Sequence, residues 1–175
     1  MKNVLISTGG TGGHVIPALN INDHLSNIFN TYIVTDLRGI KFIDKNKYKF
    51  EVIETPKLPS SLIKYPIYFF SIIYSLVKSF LYLRKKKIHY LISTGGYMSI
   101  PLCISARFLG INIYLFEPNK VLGKSNKLIL RFCKKIICNY ENIINFPSKF
   151  DDKIFRIKPI LKKEIFLINK NKKTP

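Results

Sequence analysis

Acidic residues are scarce in this chain: ten Asp and Glu stand against 29 Lys and Arg, which gives a formal net charge of +19. Such an excess is typical of proteins that bind nucleic acid, an anionic membrane or a phosphorylated substrate. The chain is also rich in Lys, Asn and Ile, as expected of AT-rich coding DNA, and this bias explains the charge equally well. Charge alone therefore does not select a partner.

Cysteine is also sparse, and no secretory leader is recognisable. Cys103, Cys133 and Cys138 are odd in number and lack the spacing of metal ligands, which favours a reducing compartment. The N-terminus, MKNVLIS, enters a strand-like run directly, whereas a secretory signal needs an apolar core of about 7–15 residues and a cleavage site. No signal peptide is predicted.

Short β-rich segments alternate with helical ones along the 175 residues, a length that suffices for one domain with a buried core. This alternation predicts βα units and a parallel sheet with helices on both faces. The predicted helices cover residues 17–28, 66–86, 99–109 and 125–133, with Pro17 in the first turn of the first helix. The predicted strands cover residues 3–7, 31–35, 50–54, 89–93, 112–116, 135–138 and 154–158.

The segment LISTGG occurs twice, at Leu5–Gly10 and at Leu91–Gly96. Each copy ends a predicted strand and precedes a predicted helix, so both glycine turns belong to the sheet edge where open α/β folds bind ligands. Glycine allows close backbone approach, and the following helix N-terminus presents free N–H groups to an anion. Either turn alone is explained as well by a tight βα connection. Together with the run GGTGGH at 9–14, they predict a site for the two ends of one phosphorylated ligand, or for two ligands that must meet.

The first glycine turn lacks two signatures of nucleotide binding. When G-x-G-x-x-G is aligned from Gly10, Val15 stands in place of the third glycine, and no Gly-Lys-Ser/Thr follows as a P-loop requires. Asp36 nevertheless ends the second strand, where an NAD enzyme has a ribose-binding acid, so an NAD-dependent oxidoreductase is one alternative. No Ser/His/Asp triad or metal-ligand cluster is apparent, and we expect neither a metal site nor a cofactor.

Three segments, in this order and spacing, resemble the MurG-type lipid-linked N-acetylglucosaminyltransferases of glycosyltransferase family 28: GGTGGHVIP (9–17), TGGYMSIP (94–101) and FEPNKVLGKSNKLILRFCKKI (116–136). The resemblance spans essentially the whole chain but only the N-terminal, acceptor-side domain of a family with two facing Rossmann-like domains, the GT-B arrangement. It implies that residues 1–160 form this domain, that 161–175 begin a linker or basic tail, and that the C-terminal UDP-sugar domain is absent.

The reaction that the resemblance implies is inverting transfer of N-acetylglucosamine from UDP-GlcNAc to undecaprenyl-diphospho-muramoylpentapeptide. This is the lipid I to lipid II step of peptidoglycan synthesis. His14 matches the family's candidate base, although the residues alone support a helix-capping or donor-orienting role nearly as well. The matched donor-side contacts are Thr11, Gly12, Gly13 and Asn119. The matched contacts to the acceptor diphosphate are Gly95, Gly96 and Tyr97.

The chain departs from the family at three positions. Phe116 replaces a His and Pro118 a Gln, and Leu161 stands where the family has an Arg, with Lys162 or Lys163 as the candidate replacement. These departures affect the expected donor affinity more than the fold. Three other ionisable side chains are predicted to be structural: Glu117, which would orient the loop around Asn119, His24 and His89.

Residues 65–87, YPIYFFSIIYSLVKSFLYLRKKK, combine an apolar stretch of about 17 residues with a basic end. One narrow helical stripe of this segment carries Ser71, Ser75, Lys78, Ser79 and Tyr82. A helix packed on its domain and dipped into an anionic leaflet accounts for these features. The membrane contacts would then be Lys78, Arg84, Lys85, Lys86 and Lys87. A transmembrane helix and a core helix with a solvated basic end are the alternatives.

Two functional hypotheses follow. In the first, the chain is the acceptor-binding half of the transferase, peripheral on the cytoplasmic face of the bacterial plasma membrane. In the second, it is a non-catalytic, membrane-associated binding or scaffold module that needs a separate donor-binding subunit. The expected partners are UDP-GlcNAc, held mostly by the missing domain, a lipid-linked diphosphate acceptor and an anionic membrane surface, but no nucleic acid.

Overall fold

The computed structural model describes residues 1–56, 61, 63 and 65–160. Leu161, Lys162, Lys163 and the rest of the segment 161–175 lie outside the described residues. Seven parallel strands form one sheet, in the order β3-β2-β1-β4-β5-β6-β7. The strands are β1 (Asn3–Ser7), β2 (Asn30–Thr35), β3 (Phe50–Val52), β4 (Tyr90–Ser93), β5 (Asn112–Glu117), β6 (Lys135–Cys138) and β7 (Ile154–Arg156). The strand order reverses between β1 and β4, which makes this pair the topological switch point of a Rossmann-like fold.

Helices cover both faces of the sheet, as the sequence predicts. Within the described residues they are α1 (Gly12–Leu25), α2 (Tyr65–Lys85), α3 (Ser99–Phe108) and α4 (Lys124–Ile129), with 3₁₀ turns at Gly39–Phe42, Leu130–Phe132 and Ser148–Lys153. Successive side chains of β1 point to opposite faces. Val4 and Ile6 pack in a cluster with α1, whereas Leu5 packs in the larger cluster that α2, α3 and α4 cover.

The first helix begins earlier than the sequence pattern indicates. It starts at Gly12, so Pro17 is its sixth residue and not part of the first turn. Pro17 has no N–H, and the carbonyl of Gly13 therefore lacks its helical hydrogen bond. The sequence pattern misses this start because glycine disfavours helix interiors, so Gly12 and Gly13 are typical of a loop. The helix also ends at Leu25, whose carbonyl accepts the amide of Ile28 in the turn toward β2.

The two LISTGG segments lie side by side in the sheet. Parallel pairing of β1 with β4 places Leu5 opposite Leu91, and the next two residues pair in the same register. The amide of Thr94 then donates to the carbonyl of Ser7 at 3.0 Å. Both glycine turns consequently leave the carboxyl edge of the sheet at the same height, on the two sides of the switch point.

The two glycine turns are in direct contact. Gly95 and Gly96 have φ values of +112° and +92°, which residues other than glycine rarely adopt. A Cβ on Gly96 would stand 3.0 Å from the carbonyl oxygen of Gly9, closer than an ordinary contact. Glycine is therefore required at 96 both by its backbone angle and by the neighbouring turn.

The carboxylate of Asp36, directly after β2, braces the first glycine turn; we call this contact the Asp36 brace. Asp36 is 5% exposed and accepts hydrogen bonds at Oδ1 from the backbone N–H groups of Gly10 (2.9 Å) and Gly39 (2.8 Å). Its Oδ2 accepts two hydrogen bonds from the Arg38 guanidinium, from Nη2 at 3.0 Å and from Nε at 3.2 Å. Burial opposes ionisation of Asp36, but these hydrogen bonds outweigh it and hold its pKa below the ordinary 3.8. The carboxylate is occupied in bracing the loop, so the geometry does not support the ribose-binding role of an NAD enzyme.

The contact between the turns predicts unequal costs for two glycine substitutions. Gly110 also has a positive φ, +69°, but a Cβ there would meet no atom within 4 Å. Gly110→Ala should therefore destabilise the chain by about 1–2 kcal/mol through backbone strain alone. Gly96→Ala should cost about 1–3 kcal/mol more, because the added methyl group overpacks against Gly9. Urea unfolding at pH 7 measures both, and equal losses would show that the turns do not press on each other.

The Asp36 brace predicts a pH-dependent loss of stability. Because its pKa is lower in the folded state, the contribution of Asp36 is complete above 3.8 and declines as pH falls through the depressed value. Asp36→Asn should lower the free energy of unfolding by about 1–3 kcal/mol at pH 7, and the difference from the parent should shrink below pH 3.8. Urea unfolding across this range measures it, with the exposed Asp152→Asn as a charge-matched control. A difference that stays constant with pH would contradict this account.

Candidate functional site

His14 lies where the two glycine turns meet. It stands in the first turn of α1, and its Nδ1 lies 2.6 Å from the carbonyl oxygen of Thr94, in the second LISTGG segment. A carbonyl can only accept, so Nδ1 carries the hydrogen, and Nε2 is the acceptor of the neutral ring. This arrangement suits a general base. It does not suit a capping role for Nδ1, since capping the N-terminus of a helix requires an acceptor.

The expected donor-side residues form the start of α1. Thr11 is the N-cap residue, is exposed, and makes no side-chain capping bond. Gly12 and Gly13 occupy the first turn of the helix, which contains no acidic residue. The positive end of the helix dipole is therefore not compensated by a carboxylate in that turn. A Cβ on Gly13 would meet only the Thr11 hydroxyl oxygen, at 3.6 Å, so this backbone is open to a ligand.

The expected acceptor loop adjoins the same histidine. A Cβ on Gly95 would lie 2.8 Å from Cε1 of His14, which means that the ring packs directly on the Gly95 backbone. The carbonyl of Gly95 also accepts the Ser99 hydroxyl at 3.0 Å, which ties the loop to α3. Tyr97 is exposed beside Gly96. The structure thus places Gly95 against His14 and Gly96 against Gly9, and Tyr97 follows them in the same loop.

A buried carboxylate organises the loop after β5. Glu117 is fully buried and accepts Asn119 at Oε1, from both the backbone N–H and the side-chain amide, each at 3.1 Å. Its Oε2 accepts the backbone N–H of Gly123 at 3.1 Å and the side-chain amide of Asn126 at 2.8 Å. This geometry agrees with the predicted orienting role of Glu117. Asn119 is itself exposed at this edge.

The position where the family has a histidine is part of the core here. Phe116 is 2% exposed and packs with Ala18 and Ile21 of α1, so its side chain supports α1 from below. Pro118 is half-buried beside the Glu117 loop. His89 accepts the backbone N–H of Asn3 at Nδ1, which agrees with its predicted structural role. His24 borders an apolar groove of about 460 Å³ on the α1 side of the sheet.

Helix α2 carries its apolar side chains outward. Ile67, Phe70 and Tyr74 are 68–71% exposed, and Phe69, Val77 and Leu81 are exposed as well. The side turned to the domain buries two serines and one leucine, Ser75, Ser79 and Leu83, and the Ser75 hydroxyl donates to the Glu54 carbonyl at 3.1 Å. Only 17% of its most apolar 18 residues are buried, so among the described residues α2 is not a core helix. By length and composition alone, the helix is long and apolar enough to cross a membrane.

The basic residues expected at a membrane have different surroundings. Lys78 is exposed and its ammonium lies 3.4 Å from the Val52 carbonyl of β3. Lys86 is half-buried and lies over the Tyr32 ring at 5.3 Å, on the domain side. The remaining three, Arg84, Lys85 and Lys87, are exposed at the C-terminal end of α2.

Three features of the structure escaped the sequence patterns. Thr94 acts through its carbonyl, which every residue type possesses, so no pattern marks it. Asn126 lies within the segment 116–136, and the resemblance of that segment to the family is the sequence signal that points to it. A groove of about 550 Å³ with an apolar floor and basic rim is built from distant segments; it is lined by residues that include Ile100, Ile104, Phe132, Phe150, Lys127, Arg131 and Lys149.

Comparison with known proteins gives related enzymes. The chain is 47% identical over 165 residues to a UDP-N-acetylglucosamine–N-acetylmuramyl-(pentapeptide) pyrophosphoryl-undecaprenol N-acetylglucosamine transferase of Pelagibacter ubique, covering 94% of this chain and 46% of the relative. The protein of that name in Rickettsia typhi is 34% identical over 167 residues, with 94% and 42% covered. The chain thus spans about half the length of the curated relatives that it matches.

Solved structures share the fold. MurG of Acinetobacter baumannii superposes with a TM-score of 0.74 at 23% identity, over 89% of this chain and 45% of that one. A UDP-GlcNAc 2-epimerase of Neisseria meningitidis, bound to UDP-GlcNAc, superposes with a TM-score of 0.62 at 16% identity, over 98% and 51%. Residues 4–138 match the profile of the glycosyltransferase family 28 N-terminal domain. Because this match covers most of the chain, the protein belongs to glycosyltransferase family 28.

Proposed function

We propose that this chain is the acceptor-binding half of an inverting N-acetylglucosaminyltransferase. The donor would be UDP-GlcNAc and the acceptor undecaprenyl-diphospho-muramoylpentapeptide, as in peptidoglycan synthesis. The observation that carries the proposal is the meeting of two in-register glycine turns at His14, whose Nδ1 faces the Thr94 carbonyl at 2.6 Å. The names of the Pelagibacter and Rickettsia relatives support the same donor and acceptor.

The arrangement suits the chemistry of glycosyl transfer. As the acceptor oxygen bonds to the anomeric carbon, the bond from that carbon to UDP breaks, and the acceptor hydroxyl loses its proton. Nε2 of His14 would take this proton, since Nδ1 already bears a hydrogen. The leaving diphosphate gains negative charge, which the N-terminus of α1 around Gly12 and Gly13 would stabilise. Gly95, Gly96 and Tyr97 would hold the acceptor diphosphate on the other side of the ring.

A non-catalytic binding or scaffold module is the second candidate. It is favoured by the contacts that the described residues offer on their own, the open backbone at Gly13 and the Gly95 loop beside His14. Such a module would bind the lipid-linked diphosphate and depend on a separate donor-binding subunit for turnover.

We predict that the purified 175-residue chain transfers no sugar. The family resemblance implies that most of the wall that would hold UDP-GlcNAc lies beyond this match, and contacts that the chain lacks cannot stabilise a transition state. Radiolabelled transfer from UDP-GlcNAc to lipid I measures this. A chimera in which the chain replaces the matching part of the Pelagibacter relative should be active, and His14→Ala should reduce its turnover at least about 100-fold.

The chimera separates the two candidates. Transfer by the chimera supports the transferase half, whereas a folded chimera that binds lipid I but does not turn over favours the scaffold module. Transfer by the isolated chain would show that the donor site is complete without further residues.

We propose further that α2 binds the surface of an anionic membrane, which would make the chain peripheral on the cytoplasmic face of the bacterial plasma membrane. The supporting observation is that most of its large apolar and aromatic side chains face solvent, whereas Ser75, Ser79 and Leu83 face the domain. A helix with this pattern lowers its free energy by burying the outer face in the acyl boundary. Packing of Ser75 and Ser79 against the domain argues against a helix that leaves the domain to span the bilayer.

The charges of the same surface favour anionic lipid. Arg84, Lys85 and Lys87 are exposed at the end of α2, and each basic residue near such a surface contributes about 1 kcal/mol. The basic-rimmed groove, with Lys127, Arg131 and Lys149, lies on the same helical layer, beside α3. Phosphate headgroups and acyl chains match its rim and its floor.

We predict that the chain binds vesicles containing phosphatidylglycerol and partly dissociates as salt rises. Screening, with a Debye length of about 8 Å at physiological ionic strength, weakens the basic end of α2. The apolar face should retain a fraction that resists salt. Replacing Arg84, Lys85, Lys86 and Lys87 with Gln should remove most of the salt-sensitive part, although the cations of the groove remain, and should leave the fold intact. Co-sedimentation at increasing salt measures both fractions.

A matched variant controls for net charge. It replaces four exposed lysines outside α2 with Gln and so removes the same charge; they are Lys41, Lys45, Lys49 and Lys120. This control should bind nearly as the parent does. Equal binding of the parent and the α2 variant at low salt would contradict the electrostatic part, and resistance to alkaline carbonate would indicate a spanning helix instead.

A further inference from the structure

Asn126 presents a buried amide oxygen that has no hydrogen-bond partner among the described residues. Its Nδ2 donates to Oε2 of Glu117 at 2.8 Å, which fixes the amide orientation. Its Oδ1 therefore faces the other way, toward Gly95, and lies 2.9 Å from the position of a Cβ on that glycine. An unsatisfied buried acceptor is costly, so this orientation needs an explanation.

The neighbours of Gly95 give that explanation. The same Cβ position is 2.8 Å from Cε1 and 2.9 Å from Nδ1 of His14, so the imidazole and the Asn126 amide meet on the same side of the Gly95 backbone. No donor among the described residues bonds to Oδ1, which stands against Gly95 beside the ring. Thr94 directly precedes Gly95, and its carbonyl is the one that faces Nδ1 of His14. Asn126 thus holds, from one side, the peptide segment that sets the tautomer of His14.

We propose that Glu117 is a positioning residue for His14. Through Asn126 it fixes Gly95 and the Thr94 carbonyl, and thereby keeps the hydrogen of the neutral ring on Nδ1 and the lone pair on Nε2. The same carboxylate holds Asn119, so one buried charge sets both a donor-side amide and the base. The proposal rests on the proposed function for its catalytic meaning, but the tautomer itself can be tested without a donor domain.

The charge of Glu117 is what makes it suitable. Its two oxygens accept four N–H donors, and two of these are the backbone amides of Asn119 and Gly123, which cannot turn around. A glutamine offers only one oxygen, so its NH₂ group would face a backbone N–H in either orientation. With NH₂ on the Oε2 side, Asn126 gains a bond by rotating its amide, which turns a donor toward Gly95 and His14. We therefore expect Glu117→Gln to release the segment that holds the His14 ring.

The test is the tautomer of each histidine in the ¹⁵N-labelled 175-residue chain, read from long-range ¹H–¹⁵N correlation spectra at a pH where the rings are neutral. The parent should show His14 with hydrogen on Nδ1. His89 should show the opposite tautomer, because its Nδ1 accepts Asn3 at 3.1 Å, and it serves as an internal control. An Nε2–H form of His14 in the parent would overturn the proposal at once.

The variants test the control by Glu117. Glu117→Gln and Asn126→Ala should each shift the His14 ring resonances toward a mixture of tautomers and leave His89 unchanged. Asp152→Asn, which removes an equal charge at an exposed site, should change neither. Folded variants that keep His14 entirely in the Nδ1–H form would overturn the proposal. Loss of the fold in both variants would also overturn it, since it would make Glu117 a residue of the core and not of the site.

Discussion

Because β1 and β4 pair in parallel with Leu5 opposite Leu91, equivalent residues of the two LISTGG segments leave the sheet at equal height. This register is what allows Gly96 to rest on the backbone of Gly9 and His14 to reach the carbonyl of Thr94. A shift of one residue would turn the side chains of β4 to the opposite faces and separate the turns. The hydrophobic core on both faces therefore holds the site in place, and no loop has to close for the two turns to meet.

Two buried carboxylates complete this edge, and both are satisfied largely by N–H groups. Asp36 accepts two backbone amides as well as Arg38, and Glu117 accepts two backbone amides and two side-chain amides. In a chain with 29 Lys and Arg, this arrangement leaves most of the cationic groups on the surface. The two carboxylates of the site thus bind N–H groups of the protein's own loops. The N-terminus of α1 and the surface cations are left to attract anionic ligands.

The sequence predicted regular elements well where hydrophobic patterning alone decides them. Strands β1 and β6 have the predicted bounds, and the sheet is parallel with helices on both faces, because apolar runs between helical segments require such burial. The predicted start of α1, at residue 17, is wrong because the packing of Val15 and Ala18 outweighs the low helix propensity of the preceding glycines. For α2, the serine stripe was recognisable, but only the structure gives its direction. The role of Asn126 depends on a contact 31 positions away, with Gly95, and no spacing rule reaches that far.

The direction of α2 connects the proposed membrane surface to the site. This helix follows β3 and precedes β4, so it runs from the carboxyl edge of the sheet, where the glycine turns lie, to the amino edge. Its 21 residues span roughly 30 Å, which puts Tyr65 and the exposed aromatic side chains at the site end and Arg84 at the far end. Ser75 and the amide of Leu37 both bond to Glu54, and Leu37 adjoins the Asp36 brace, so the helix and the first glycine turn share one polar network. A helix lying flat in the interface would then hold the glycine turns near the level of the headgroups. A lipid-linked diphosphate could meet them there without leaving the membrane, since its phosphates lie at the same level.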